Sequence, residues 1–131
     1  MKIISTQQHA ILDYITVLNF VLAPTILGIS GAPAVVSYIL AVVHLTMTVL
    51  TDMPLSLVRL VPLKLHALVE AIVGPVLIIG ALALLPATTA RWFYIAMGVI
   101  IVGVWLLSSY ESSNEVERPL AKRSPMRKTQ K

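Results

Sequence analysis

Apolar residues along this chain fall into four long runs, at roughly 10–30, 34–51, 65–85 and 92–110. Each is close to the ~20 residues that cross a bilayer as a helix. None alternates apolar and polar with the period of two that a membrane strand needs. Short polar or helix-breaking stretches separate the runs. Gly28, Gly31 and Pro33 mark a first turn, and Pro86, Thr88 and Thr89 mark another. A longer connection holds Pro54, Arg59, Pro62 and Lys64. Thr88 or Thr89 is positioned to cap the fourth helix by accepting from its free amides. The pattern predicts an all-α bundle of four transmembrane helices over residues 1–110, with 111–131 as a disordered, basic cytoplasmic tail.

Composition sharpens this picture. Hydrophobic residues make up 57% of the 131 and charged residues 12%, where soluble domains carry about 25% charged. Nine of the sixteen Asp, Glu, Lys and Arg lie in the last 21 residues. An ordinary soluble enzyme, a disordered chain and, with no Cys, a disulfide-stapled module are excluded. Gln7, Gln8, His9 and Asp13 interrupt any signal-peptide core, so the first helix is expected to be retained.

The basic residues set an orientation. Lys2, Arg59, Lys64 and a tail with Arg118, Lys122, Arg123, Arg127, Lys128 and Lys131 fall on one side of a four-span topology, and the other side holds Arg91 alone. The positive-inside rule puts both termini in the cytoplasm of an inner, plasma-membrane protein. The bilayer is the first expected partner. The tail suits anionic headgroups, and the lack of aromatics after Tyr110 argues against nucleic acid. A bundle this small is expected to self-associate or join a larger membrane complex.

An internal repeat is visible. His9-Ala10-Ile11-Leu12-Asp13 reads against His66-Ala67-Leu68-Val69-Glu70, 57 residues later. Each copy opens a helical hairpin, which predicts two similar hairpins related as a parallel repeat. Ser5-Thr6, His9-Ala10-Ile11-Leu12-Asp13-Tyr14, Pro24 and Leu27-Gly28, with Thr51-Asp52, Leu60-Val61-Pro62 and His66, resemble the SPW-repeat family of small bacterial integral membrane proteins. The resemblance implies two similar membrane hairpins and brings no established activity.

Ionisable groups within spans cost roughly 2.5–3.5 kcal/mol each and mark candidate sites. Here they form a polar cluster of His9, Asp13, His44, Thr48, Asp52, His66 and Glu70. His9 and Asp13 share a face at i,i+4, as do His66 and Glu70. His44, Thr48 and Asp52 form one line on the second helix, while the fourth offers no charge between Trp92 and Leu107. Trp92, Tyr94, Trp105 and Tyr110 read as interfacial aromatics. Ala67, Ala71 and Gly74 form a small-residue stripe suited to close packing.

Three functions compete for the cluster. The groups can tie the hairpins together in a non-enzymatic, accessory protein that acts through association and needs no cofactor, which the sequence favours. They can hold a metal or haem, with His9, His44, His66 and Glu70 as ligands. Or His9, Asp13, His44, His66 and Glu70 can relay protons, alone or coupled to transport. Catalytic residues are not expected, because no nucleophile elbow, phosphate loop or dinucleotide fingerprint occurs.

Overall fold

Four helices account for residues 2–110, the part of the chain that the computed structural model describes: α1 (Thr6–Ile26), α2 (Gly31–Leu50), α3 (Leu63–Leu84) and α4 (Thr89–Leu107). The expected tail lies outside the described residues. Each helix is long and apolar enough to cross a membrane. Among the described residues there is no strand, only isolated bridges pairing Ile4 with Ser108 and Thr51 with Val61.

The helix limits depart from the hydrophobic runs in ways that matter for the site. The α1 helix starts four residues before the expected boundary, because Ser5 accepts from the Gln8 amide and the Gln8 side chain accepts from the Ser5 amide. That capping box satisfies two amides at the helix start and brings His9 into the helix. At its other end Gly28 takes φ 64°, a conformation open to glycine, and Gly31 does the same as the first residue of α2. The α2 helix stops at Leu50 and Thr51 is extended. Thr88 does sit at the start of α4, but its side chain makes no cap bond; the hydroxyl donates to the Pro86 carbonyl instead.

The helices pair as α1 with α2 and α3 with α4, and the two pairs meet more sparingly, with α1 approaching α4. An apolar core of Val17, Phe20, Ala41, Ala81, Tyr94, Met97 and Ile101 fills the middle. Gly74 and Gly98 face each other across the α3–α4 seam. A Cβ on Gly98 would lie 2.7 Å from the Gly74 carbonyl oxygen. Ala67 and Gly74 of the small-residue stripe are buried, while Ala71 is partly so. Tyr94, expected at the membrane interface, is buried within the bundle, and its hydroxyl donates to the Pro33 carbonyl. Most large aliphatic side chains on α1–α4 point outward, as lipid-facing surfaces do.

Candidate metal centre

At one end of the bundle the start of α1, the α2–α3 connection and the end of α4 come together. The backbone at Ile3 and Ile4 donates to the Leu107 carbonyl, and Asp52 donates to the Val61 carbonyl. One to two helical turns inside this end, His9 and Asp13 from α1 meet His66 and Glu70 from α3. All four are buried, at 0–4% exposure. One donor atom from each can be chosen so that no two lie farther apart than 4.8 Å.

Imidazoles and carboxylates alternate around this group. His9 Nε2 is 3.5 Å from Asp13 Oδ2 and 3.5 Å from Glu70 Oε2. His66 Nε2 is 3.4 Å from Asp13 Oδ2 and 3.7 Å from Glu70 Oε1. These separations exceed the roughly 2.7–2.9 Å of a charge-assisted hydrogen bond. Accordingly His9 Nε2, Asp13 Oδ2 and His66 Nε2 are buried and have no hydrogen-bond partner among the described residues.

The opposite nitrogens of both rings are engaged. His9 Nδ1 lies 2.9 Å from Ser108 Oγ, and His66 Nδ1 lies 2.9 Å from Thr51 Oγ1. Thr51 donates its own proton to the Met47 carbonyl at 2.5 Å. Its oxygen therefore accepts from His66, which fixes the proton of a neutral His66 ring on Nδ1. The free lone pair of His66 Nε2 then points at two carboxylates. Two electron-rich groups facing each other at 3.4–3.7 Å call for positive charge between them, as a proton on Nε2 or as a bound cation.

Tyr110 closes the end of the site. Its hydroxyl lies 3.2 Å from Glu70 Oε2 and 3.2 Å from the Trp105 carbonyl, and donates to this pair of acceptors. Burial pushes the phenol above its ordinary value, and Glu70 beside it pushes further, so Tyr110 stays a donor. Its ring packs against a small apolar lid of Ala10, Met53 and Leu63.

The other polar residues singled out in the sequence stand differently. His44 adjoins the four, with Nε2 3.6 Å from Asp13 Oδ1. Of the expected metal subset, His9, His66 and Glu70 lie in this four-donor group together with Asp13, and His44 stands beside it. Thr48 is buried but spends its hydroxyl on the His44 carbonyl at 2.9 Å. Asp52 does not share their helical line, because α2 ends two residues before it; it faces Arg59 at 3.6 Å. Ser108 and Tyr110, just beyond α4, bring the end of that helix to the site through His9 and Glu70. Thr51, Ser108 and Tyr110 were not singled out as site residues. A signal for two of them lies in the spacing, since Thr51 and Ser108 are 57 residues apart, as His9 and His66 are.

No protein-family model matches this chain, and no curated protein or solved structure matches it.

Proposed function

We propose that this chain is a membrane-embedded metal-binding protein that holds one divalent first-row transition ion between His9, Asp13, His66 and Glu70. The observation that carries this reading is the set of inward-facing, buried donor atoms without partners. Zinc, iron and manganese all accept two imidazoles and two carboxylates. Metal–ligand bonds of about 2.0–2.2 Å set neighbouring ligands of a tetrahedron about 3.3–3.6 Å apart. The His–carboxylate separations of 3.4–3.7 Å, with Glu70 offering Oε2 to His9 and Oε1 to His66, lie near this range, and the four residues, spread to 4.8 Å, would have to draw together around an ion. Ser108, Thr51 and Tyr110 take the part of outer partners that orient ligands.

Energetics favour an ion over simple glue. Each buried polar atom left without a partner costs about 1–3 kcal/mol. Polar contacts between membrane helices return about 0.6 kcal/mol on average. A bound transition ion supplies on the order of 10 kcal/mol in small structural sites, enough to offset several such penalties. Haem fits poorly, because Asp13 and Glu70 occupy the space between the two imidazoles.

The proposal includes an origin by duplication of one hairpin, as the SPW-repeat resemblance implies. The spacing of 57 relates His9 to His66, Asp13 to Glu70 and Thr51 to Ser108, and each histidine leans on the hydroxyl belonging to the other copy. It also includes an inner-membrane location with both termini cytoplasmic, supported by the distribution of Lys and Arg. The ion would then sit just below the cytoplasmic face.

Elemental analysis of protein purified from membranes tests the reading. One equivalent of metal per chain is expected, lost in Asp13→Asn and Glu70→Gln with the protein still folded. Folded wild-type protein that neither carries nor takes up a transition ion would overturn it, and would return the cluster to the role of a polar joint between hairpins.

A further inference from the structure

His44 breaks the near-equivalence of the two helical pairs. The residue 57 places on from it is Ile101, so the imidazole has no counterpart. Its Nε2 is buried and without a hydrogen-bond partner among the described residues. It faces Asp13 Oδ1, whereas His9 and His66 face Oδ2 of the same carboxylate. His44 therefore stands at the rim of the four-donor site rather than within it.

A cleft of about 40 Å³ opens at this rim, between α2 and α3. His44, His66 and Glu70 line it, and the rest of its wall is apolar, including Leu40, Val43 and Val73. Val43 is 51% exposed, so the cleft reaches the surface that faces hydrocarbon. A single water needs about 10–15 Å³ of such space, so the cleft has room for a few heavy atoms, and a diatomic molecule fits within it. Its apolar wall disfavours a charged ligand, which would lose hydration on entry.

We infer that the ion keeps an open position on the His44 side, which takes a small uncharged diatomic molecule of the dioxygen or nitric oxide class arriving from the bilayer through the α2–α3 cleft. This inference rests on the metal-binding reading above. Two imidazoles and two carboxylates leave room for a further ligand on iron or manganese, whose sites commonly keep open positions. Apolar gases partition into hydrocarbon, so a lateral entrance draws on the phase where they concentrate. His44 is the positioning residue: its free Nε2 hydrogen-bonds a ligand held on the ion, while the four donors hold the ion itself.

The test uses the full chain in lipid nanodiscs, stripped of metal and reloaded anaerobically with Fe(II), with Zn(II) in parallel. Metal content is measured first, and nitric oxide is then added. The Fe(II) protein is expected to form one nitrosyl adduct per ion, read by electron paramagnetic resonance and visible absorption. Filling the cleft from either side, with Val43→Trp or Val73→Trp, should slow association at least tenfold at unchanged iron content. His44→Leu should speed nitric oxide release by a similar factor with the iron retained. Azide, small but charged, should associate more slowly than nitric oxide and respond less to the tryptophans. Iron bound without a nitrosyl adduct overturns the inference and leaves the metal reading standing. Uptake of zinc alone, or adduct formation at one rate in wild type and both tryptophan variants, does the same. Failure to bind either metal overturns both.

Discussion

The middle of the bundle and its polar end solve opposite problems. In the middle, α3 and α4 approach until glycine backbones touch at Gly74 and Gly98, and Val17, Phe20, Ala41 and Met97 fill the remaining space. Among the described residues, no buried side-chain nitrogen or oxygen there lacks a hydrogen-bond partner. Even the Tyr94 and Ser37 hydroxyls donate to the nearby carbonyls of Pro33 and Phe20. At the polar end backbone bonds tie the start of the chain to the end of α4 and close the α2–α3 connection, yet His9, Asp13 and His66 keep inward-facing atoms without a partner. The contrast teaches that the end is not loosely built. Its outer nitrogens are held at 2.9 Å by two hydroxyls, while the nitrogens facing the carboxylates are left without a hydrogen bond.

Substitutions should separate the two regions, and the largest effect belongs to the middle. Gly98→Leu drives a side chain into the Gly74 carbonyl and Ile78. Overpacking of this kind costs about 1–3 kcal/mol or more. Thermal unfolding in detergent should show a marked loss of folded protein, whereas Gly103→Ala, with nothing within 4 Å of the added carbon, should be close to wild type. Next comes the site itself. Asp13→Asn keeps the shape and removes a ligand charge, so metal affinity by competition titration should fall more than about a hundredfold, beyond the 10–100-fold typical of outer partners. The unfolding temperature without metal should change little or rise, because a buried charge is gone.

Smaller effects should follow in order. Thr51→Val and Ser108→Ala leave every ligand in place but free a ring to turn, and each should weaken binding about 10–100-fold. Both should do so alike, because the two hydroxyls hold their rings at the same distance; a large effect of one with none of the other would break the proposed equivalence. Tyr110→Phe should cost about tenfold or less by the same measure, since its proton is shared between Glu70 and a carbonyl. Arg59→Ala removes a half-exposed cation from Asp52. Exposed pairs of this sort contribute about 0–1 kcal/mol, so stability should move slightly and metal affinity not at all.

The fold was largely legible in the sequence because span length and turn residues are local properties. The four runs predicted the four helices to within a few residues, and the error at the start of α1 came from capping. Ser5 and Gln8 extend α1 backward through a reciprocal bond that hydrophobicity does not register. The end of α2 at Leu50 moved Asp52 out of a line that helical periodicity had drawn for it. For the site, the i,i+4 pairs of His9 with Asp13 and His66 with Glu70 follow from one helix each. Their convergence does not, because it depends on how the two pairs dock. Ser108 and Tyr110 were not read as site residues for a related reason: they act from beyond the end of α4, and their partners lie 99 and 40 residues away in the chain.

The central claim is that one ion sits among two imidazoles and two carboxylates. X-ray absorption at the metal edge of the reconstituted protein tests it most directly. The account predicts a shell of nitrogen and oxygen alone at about 2.0–2.2 Å, with outer-shell scattering from two imidazole rings that falls to one in His9→Ala or His66→Ala. An ion surrounded by water and carboxylates without imidazole, or a spectrum unchanged by both histidine substitutions, would contradict it.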